Sequence, residues 1–188
     1  MQIRILQVVT HMERGGLESM LMNYYRYIDR KKVQFDFLVH RQERAAFDDE
    51  IESLGGKIYR LPRLVPWSKN YLSALNCFFD EHPEYKVVHV HQDCLSSVIL
   101  KVAARHNVPV RIAHSHNANQ DRNLKYPIKL WYRRSILQTS LPAGRMRVIG
   151  CSAEHHIRLS TMLSTRLLIP TIRKNAQSCG RSLTLEMN

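Results

Sequence analysis

The amino-acid sequence predicts an α/β fold: a doubly wound, mostly parallel, Rossmann-like sheet with helices on both faces. Strand-like and helix-like patterns alternate about five times in residues 1–140, as expected for parallel strands joined by crossover helices. The chain has 188 residues, 44% of them hydrophobic. This length can bury one ordinary core but cannot hold two full α/β domains. Ligands of this fold class bind beyond the carboxyl ends of the strands.

The first half of the chain predicts three strands and three helices. Ile3–Val9 is an apolar run typical of a buried strand, and Leu17–Ile28 has apolar residues at helical spacing, with Glu18 in the first turn. The remaining elements predicted in this half are strands at Phe35–Val39 and Ile58–Leu61 and helices at Phe47–Leu54 and Tyr71–Phe79. The helix at Phe47–Leu54 ends at a glycine pair, and the strand at Ile58–Leu61 ends at a proline.

The second half continues the alternation and then loses it. Strands are predicted at Val87–His91 and Val108–Ala113, and helices at Ser96–His106 and Tyr126–Leu137. Past Leu141, one further strand is indicated at Val148–Cys151, with Ser152 as a helix N-cap. Beyond this strand, apolar residues recur at no regular helix or strand spacing. We therefore predict a domain at residues 1–140 and an atypical, poorly ordered basic tail at residues 141–188.

Charge and cysteine content limit the function classes. The net charge is +12, which favours anionic partners such as nucleotides, nucleic acid or acidic lipid. Seven Lys and Arg against two acidic residues lie in the tail. The four cysteines are far apart, without a C-x-x-C pair, which argues against a zinc ribbon, a redox dithiol or a disulfide framework and favours small buried side chains. With no long apolar run and no signal peptide, we expect a cytoplasmic protein.

A glycine pair, Gly15 and Gly16, lies where the first strand passes into the first helix. Glycine lets a ligand approach the backbone, and free N–H groups at a helix start suit a phosphate. The spacing is neither G-x-G-x-x-G nor a P-loop, so no nucleotide fingerprint is indicated. Turn formation alone is the alternative interpretation.

Two H-x-H pairs stand at the ends of neighbouring predicted strands: His89 with His91, and His114 with His116. Residues two apart in a strand share one side, so each pair faces one way at the functional edge. Imidazoles there can bind sugar hydroxyls or phosphates or move protons, or simply form hydrogen bonds at a strand end. His89, His91 and Asp93 also fit H-x-H-x-D, the beginning of a metallohydrolase zinc site.

Basic residues cluster on the predicted Tyr126–Leu137 helix and just before it. They are Lys125, Lys129, Arg133 and Arg134. Such a run is typical of a solvated helix face. Because Trp131 and Tyr132 accompany them, the alternative is a surface against anionic lipid, which would place the protein peripherally at the inner face of the cell membrane.

Six segments, in order and spacing, resemble the N-terminal domain of glycosyltransferase family 4. These retaining GT-B enzymes are also called glycosyltransferase group 1, and the resemblance is strongest to members that build capsular or exopolysaccharide. The resemblance covers about residues 2 to 140. The segments are Arg4–Val9, Gly15–Glu18, Phe35–Val39, Glu50–Tyr59, Val87–His91 and Val108–Asn117.

The resemblance implies roles for individual residues. Gly15 and Gly16 would face the donor diphosphate, and His114 would lie beside the transferred sugar, donating or accepting hydrogen bonds in an oxocarbenium-like transition state. His91, His116 and Asn117 would line the acceptor side. The implied substrates are a nucleotide diphosphate sugar and a saccharide or lipid-linked acceptor, with no cofactor, no metal and no nucleic acid.

The chain also departs from the family. The resemblance assigns donor binding to a second domain with two glutamates spaced E-x7-E, and no two glutamates of this sequence are so spaced. Cys151, Ser152 and Ala153 retain a trace of the family's continuation, which His155 does not follow. We therefore expect a truncated enzyme that is inactive alone. The alternatives are a zinc hydrolase using His89, His91, Asp93 and His114, or a non-enzymatic basic module that binds anionic membrane or nucleic acid.

Overall fold

The computed structural model describes residues 2–116, residue 131 and residues 145–150. The strands are β1 (Ile3–Val9), β2 (Val33–Val39), β3 (Ile58–Arg60), β4 (Val87–Val90), β5 (Val110–Ser115) and β6 (Arg145–Gly150). The helices are α1 (Gly16–Tyr27), α2 (Asp48–Ser53), α3 (Lys69–Glu81) and α4 (Ser96–Arg105), and a 3₁₀ turn (Asp93–Leu95) precedes α4. Of the predicted Tyr126–Leu137 helix only Trp131 is described, and residues 151–188 lie outside the described residues.

The strands form one parallel sheet in the order β3-β2-β1-β4-β5-β6. This order and direction confirm the predicted doubly wound α/β fold. The order reverses between β1 and β4, which are neighbours in the sheet: Val8 pairs with Val90 across this junction. Such a reversal leaves a crevice at the carboxyl edge of the sheet, and ligands of this fold class bind there.

Helices cover both faces of the sheet. Leu6 and Val8 of β1 belong to the core that includes α3 and α4. Val9 belongs to the opposite core, and Ile5 packs against it, together with residues of α1 and α2. Alternate residues of one strand thus serve two cores, because side chains of a strand point to opposite faces in turn. The continuous apolar runs read from the sequence are the consequence of burial on both faces.

Two predicted helix ends are explained by left-handed backbone conformations. Gly55 has φ of +84° two residues after α2, and Asn107 has φ of +57° two residues after α4. Glycine and asparagine adopt this conformation most easily, which makes them frequent at helix ends. The amide of Val108 then donates a hydrogen bond of 3.0 Å to the carbonyl of Ala103. Val108 therefore closes the helix, and β5 starts at Val110 rather than at Val108 as predicted.

The sixth strand lies beyond residue 140, where we predicted the domain to end. Arg145 pairs with Val110 and Gly150 with Ser115, so the sheet takes in part of the segment predicted as a tail. The prediction began this strand at Val148 because its first half, Arg145–Arg147, is not apolar. The division into residues 1–140 and 141–188 otherwise stays a prediction.

The cysteine prediction is wrong at one described position. Cys77 is exposed and Cys94 is partly buried, whereas both were expected as small buried side chains. Cys77 is on the outer side of α3, where its thiol lies 3.1 Å from an Oε1 atom of Glu81 one turn later. Cys151 and Cys179 lie outside the described residues.

Candidate functional site at the carboxyl edge of the sheet

Four histidines meet where β4 and β5 end, and we call His89, His91, His114 and His116 the histidine cluster. Ring centres are 4.0 Å apart for His89 and His91 and 4.1 Å apart for His114 and His116. Across the two strands, His89 and His114 stack with centres 5.4 Å apart. Two H-x-H pairs on adjacent parallel strands place four imidazoles on one side of the sheet edge, as the spacing predicts.

A glutamine of β1 fixes the hydrogen positions of His91 and His116. His91 Nε2 lies 3.0 Å from Gln7 Oε1, and His91 Nδ1 lies 2.9 Å from His116 Nε2. Because an amide oxygen only accepts, Nε2 of His91 carries the hydrogen and Nδ1 accepts one from His116. Gln7 is nearly fully buried. Our sequence reasoning missed it, although a polar side chain inside the apolar Ile3–Val9 run was the available signal.

Asp93 joins the ends of the same two strands. Its Oδ1 accepts hydrogen bonds of 3.1 Å from the Ser115 hydroxyl and from the His116 amide. Asp93 itself has φ of +46°, a left-handed conformation uncommon outside glycine. Strained backbone of this kind persists where the surrounding structure requires it, often at functional sites. In this case the strain lets one carboxylate hold the backbone of His116.

Burial keeps three rings of the cluster uncharged, those of His89, His91 and His114. Burial, reinforced by the neighbouring imidazoles, lowers the pKa of His89 to about 3 and that of His91 to about 2. Burial also lowers the pKa of His114, with His116 adding to the effect and Asp93 opposing it. These groups are therefore neutral imidazoles at physiological pH, suited to hydrogen bonding or metal ligation and unable to bind an anion by charge.

Two nitrogens of the cluster lack a partner in the described part of the chain. His89 Nε2 and His114 Nδ1 are buried there without a hydrogen bond. Unpaired buried polar atoms cost free energy and are few in native proteins, so each one needs an explanation. A substrate hydroxyl or a metal ion would satisfy both atoms.

Three of the histidines have ligand atoms close enough to share a metal ion. Nitrogen atoms of His89, His91 and His114 lie within 4.8 Å of one another. Both nitrogens of His91 are already hydrogen-bonded, so an ion there would displace Gln7 or His116. Asp93, which the H-x-H-x-D spacing suggested as a further ligand, instead accepts hydrogen bonds from Ser115 and His116.

The glycine pair begins α1 at the same edge of the sheet. Gly15 is the N-cap and Gly16 the first residue of the helix. A Cβ atom on Gly16 would meet nothing within 4 Å, whereas one on Gly15 would collide with the Glu18 carboxylate. The backbone at Gly16 is therefore open to a ligand, while the Glu18 carboxylate already lies beside Gly15. The donor-phosphate role of this pair stays a prediction.

The structure thus places both H-x-H pairs, His89 with His91 and His114 with His116, at one edge of the sheet and adds Gln7. The substrate-binding roles of His91, His114 and His116 stay predictions. Asn117 lies outside the described residues, as do Lys125, Lys129, Arg133 and Arg134. Trp131 is exposed, and the Lys101 ammonium lies 5.6 Å from its ring centre. None of the helices in the described ranges is long and apolar enough to pass through a membrane.

Comparison with known proteins decides the family. The family model described as Glycosyltransferase Family 4 matches residues 14–158. The chain belongs to glycosyltransferase family 4. The resemblance carried by the six segments is thereby confirmed, and the match includes β6 as well as the histidine cluster.

One relative in family 4 is the protein named "Putative glycosyltransferase EpsF" of Bacillus subtilis (strain 168). It is 38% identical over 144 residues, which are 72% of this chain and 36% of that protein. The chain therefore spans about a third of the length of this curated relative. The solved structure titled "Crystal structure of acinetobacter baumannii MurG" aligns with a TM-score of 0.47 and 10% identity, covering 82% of this chain and 47% of that one.

Proposed function

We propose that this chain forms the acceptor-side domain of a retaining, nucleotide-sugar-dependent glycosyltransferase of polysaccharide biosynthesis. The observation that carries the proposal is the histidine cluster at the carboxyl edge of a family 4 domain, in which the rings of His89, His91 and His114 are neutral. Neutral imidazoles both donate and accept hydrogen bonds, which suits the hydroxyl groups of sugars. Two buried nitrogens without partners among the described residues, on His89 and His114, supply the unused capacity.

In this proposal His114 is the residue beside the transferred sugar. Its Nδ1 is buried and free of hydrogen bonds within the described residues, and its lowered pKa keeps the ring neutral. A neutral ring stabilises an oxocarbenium-like transition state by a hydrogen bond without adding a positive charge beside it. His116 and Asn117 contact the acceptor. His91 orients His116, since both of its nitrogens are already occupied.

The proposed donor side involves Gly15 and Gly16 and a second domain. The open backbone at Gly16 supports an approach of the donor diphosphate. The E-x7-E glutamates that the resemblance assigns to donor binding are not found in these 188 residues. We therefore propose that the chain alone catalyses little transfer, and that the acceptor is lipid-linked and presented at an anionic membrane surface.

The test compares the chain alone with the chain completed by a donor domain. The purified chain is assayed with UDP- and GDP-sugars and a prenyl-diphosphate-linked sugar, by saturation-transfer NMR for binding and by product analysis for transfer. We expect acceptor binding with little turnover. Fusion to the C-terminal half of the 38% identical relative should restore transfer, and His114→Ala should remove most of it. Anomeric proton couplings of the product test retention.

Two outcomes would contradict the proposal. Robust turnover by the chain alone would show that no second domain is needed. Binding of nucleotide sugars without any binding of the acceptor would show that this domain is not the acceptor side. His106→Ala is the matched control, because His106 is remote from the cluster and bonded to Asn76 on α3.

A zinc hydrolase is a second candidate, favoured by the close nitrogens of His89, His91 and His114. Neutral imidazoles at this separation can converge on one ion after small side-chain rotations. Metal analysis of the purified chain tests this candidate. Stoichiometric zinc in the wild type that is lost in the double variant His89→Ala/His91→Ala would support the hydrolase. Substoichiometric metal that is unchanged by these substitutions would exclude it.

A further inference from the structure

A small cavity opens at the carboxyl edge of the sheet, where one of its lining residues, Gln92, directly follows His91. Its volume is about 160 Å³, below the roughly 300–1,000 Å³ of pockets that enclose a whole small ligand. The cavity therefore suits one group of a larger molecule. Its lining residues are Thr10, His40, Arg41, Arg63, Leu64, Gln92 and Leu95, contributed by the connections that follow β1, β2, β3 and β4.

The charge in this lining is uncompensated. Within the described ranges neither Arg41 nor Arg63 forms an ion pair or hydrogen bond, and both are exposed. No carboxylate is among the residues that line the cavity. Other arginines do have acidic partners: Arg4 with Asp36, Arg26 with Glu50, Arg44 with Asp49, and Arg60 with Asp48. The two guanidinium groups at this cavity remain available for an anion.

The other polar side chains of the cavity are engaged with the protein. Gln92 Nε2 donates a 3.1 Å hydrogen bond to Thr10 Oγ1. His40 contacts the Val9 carbonyl through Nδ1 and the Tyr71 hydroxyl through Nε2. Burial lowers the pKa of His40 to about 4, so it brings no charge. Anion recognition in this cavity therefore depends on Arg41 and Arg63.

The position of the cavity relates it to the cluster. Gln92 directly follows His91, so their Cα atoms are about 3.8 Å apart and the two sites share one connection. Leu64 packs against the core on the α3 and α4 side of the sheet, while Leu17, next to Gly16, packs on the α1 and α2 side. The cavity and the glycine pair thus lie toward opposite faces of the sheet edge.

We propose that Arg41 and Arg63 bind a phosphate group of the acceptor, so that its adjoining sugar reaches the histidine cluster. This inference rests on the proposed acceptor-side function. Guanidinium groups bind phosphate oxygens in paired, charge-assisted hydrogen bonds. The substrate class is accordingly a sugar joined to a phosphate or diphosphate, such as a prenyl-diphosphate-linked saccharide.

The experiment measures binding, which does not depend on transfer activity. Titration calorimetry follows inorganic pyrophosphate and farnesyl diphosphate binding to the full chain and to Arg41→Gln, Arg63→Gln and the double variant. Each single substitution should weaken binding about 5- to 20-fold, as expected for loss of a charge-assisted hydrogen bond at an exposed site, and the double variant should weaken it further. Arg41→Lys and Arg63→Lys should restore part of it.

Arg105→Gln is the matched control. Arg105 is exposed, makes no ion pair among the described residues and lies at the end of α4, at the opposite edge of the sheet, so binding should change less than twofold. Circular dichroism establishes that the variants fold. Pyrophosphate and farnesyl diphosphate affinities that are equal in wild type and the double variant would overturn the proposal.

Two further comparisons distinguish an acceptor phosphate from a donor phosphate, and distinguish failure of this inference from failure of the proposed function. If the double variant weakens UDP-sugar binding but leaves farnesyl diphosphate binding intact, the cavity belongs to the donor and the inference is wrong. If phosphate binding follows the arginines while the completed fusion transfers no sugar, the anion site stands and the proposed function fails. Sugar transfer by the fusion without arginine-dependent phosphate binding would overturn the anion site and support the proposed function.

Discussion

His40 and the histidine cluster occupy the same edge of one sheet, but their nitrogens are used differently. His40 is buried, and the rings of the cluster are buried or partly buried. His40 has both nitrogens engaged, one with the Val9 carbonyl and one with the Tyr71 hydroxyl. In the cluster, His89 Nε2 and His114 Nδ1 have no partner among the described residues. Burial lowers the pKa in both regions, so a lowered pKa does not distinguish them.

The difference separates stability from function. A buried imidazole whose hydrogen bonds are complete fixes the backbone around it, since removing it leaves two groups unpaired. A buried imidazole with an unused nitrogen contributes less to stability and keeps hydrogen-bonding capacity for a ligand. The following substitutions test this comparison, from the largest expected effect to the smallest.

His40→Ala should destabilise the chain most. The substitution leaves the Tyr71 hydroxyl and the Val9 carbonyl buried without a partner and opens a cavity. Together these losses should lower the free energy of unfolding by about 2–4 kcal/mol, measured by urea denaturation. His11→Ala is the control, because His11 is partly exposed and contacts only the Glu43 carbonyl and, at 3.9 Å, the exposed Glu13 carboxylate among the described residues; it should cost less than about 1 kcal/mol. Equal losses in the two variants would contradict the assignment of His40 as structural.

Acid should destabilise the chain through the same buried rings. The folded-state pKa of His40 is about 4, below the unfolded value of 6.5, so the unfolded state binds the proton more readily. The neutral ring therefore contributes stability that is complete above pH 6.5 and is lost as the pH falls from 6.5 to 4. A shift of this size corresponds to about 3 kcal/mol for His40, and His89 and His91 act in the same direction.

Urea denaturation at a series of pH values checks this dependence. His40→Gln cannot be protonated in this range, so its free energy of unfolding should fall less steeply between pH 6.5 and 4. Parallel curves for the variant and wild type would mean that His40 is not the source of the acid sensitivity.

The sequence predicted the fold more completely than the site, and the reason is physical. The spacing of apolar residues and the presence of helix-ending residues such as Asn107 depend only on neighbouring positions in the sequence. The order of strands and helices could therefore be predicted. The H-x-H spacing also predicted that the two histidines of each pair lie on one side of their strand, at the carboxyl edge. Gln7 could not be assigned to the site, because its role depends on its contact with His91 across β1 and β4. Arg41 and Arg63 could not be assigned either, because their availability depends on which arginines the acidic side chains pair with in the folded chain.

Gln7→Leu should have a smaller and more local effect. Without the amide oxygen, Nε2–H of His91 loses its acceptor, so we expect a cost of about 1–2 kcal/mol and a shift of the ring toward its other tautomer. Nitrogen-15 chemical shifts of the His91 ring report that tautomer directly. Gln7→Glu keeps an acceptor and should preserve the tautomer while raising the pKa of His91. Unchanged ring shifts in Gln7→Leu would show that Gln7 does not orient the cluster.

His89→Leu should have the smallest effect on stability, and this makes the comparison sharpest. Leucine has a similar size and needs no hydrogen bond, so it replaces a ring whose Nε2 is unpaired and should change the free energy of unfolding by less than about 1 kcal/mol. Acceptor binding should nevertheless weaken, because the cluster loses a neutral donor and acceptor. A loss of stability as large as that of His40→Ala would mean that the His89 ring is structural, and the unpaired nitrogen would then not indicate a binding role. Retained stability with weakened binding would show that this edge of the sheet keeps hydrogen-bonding capacity that the fold itself does not use.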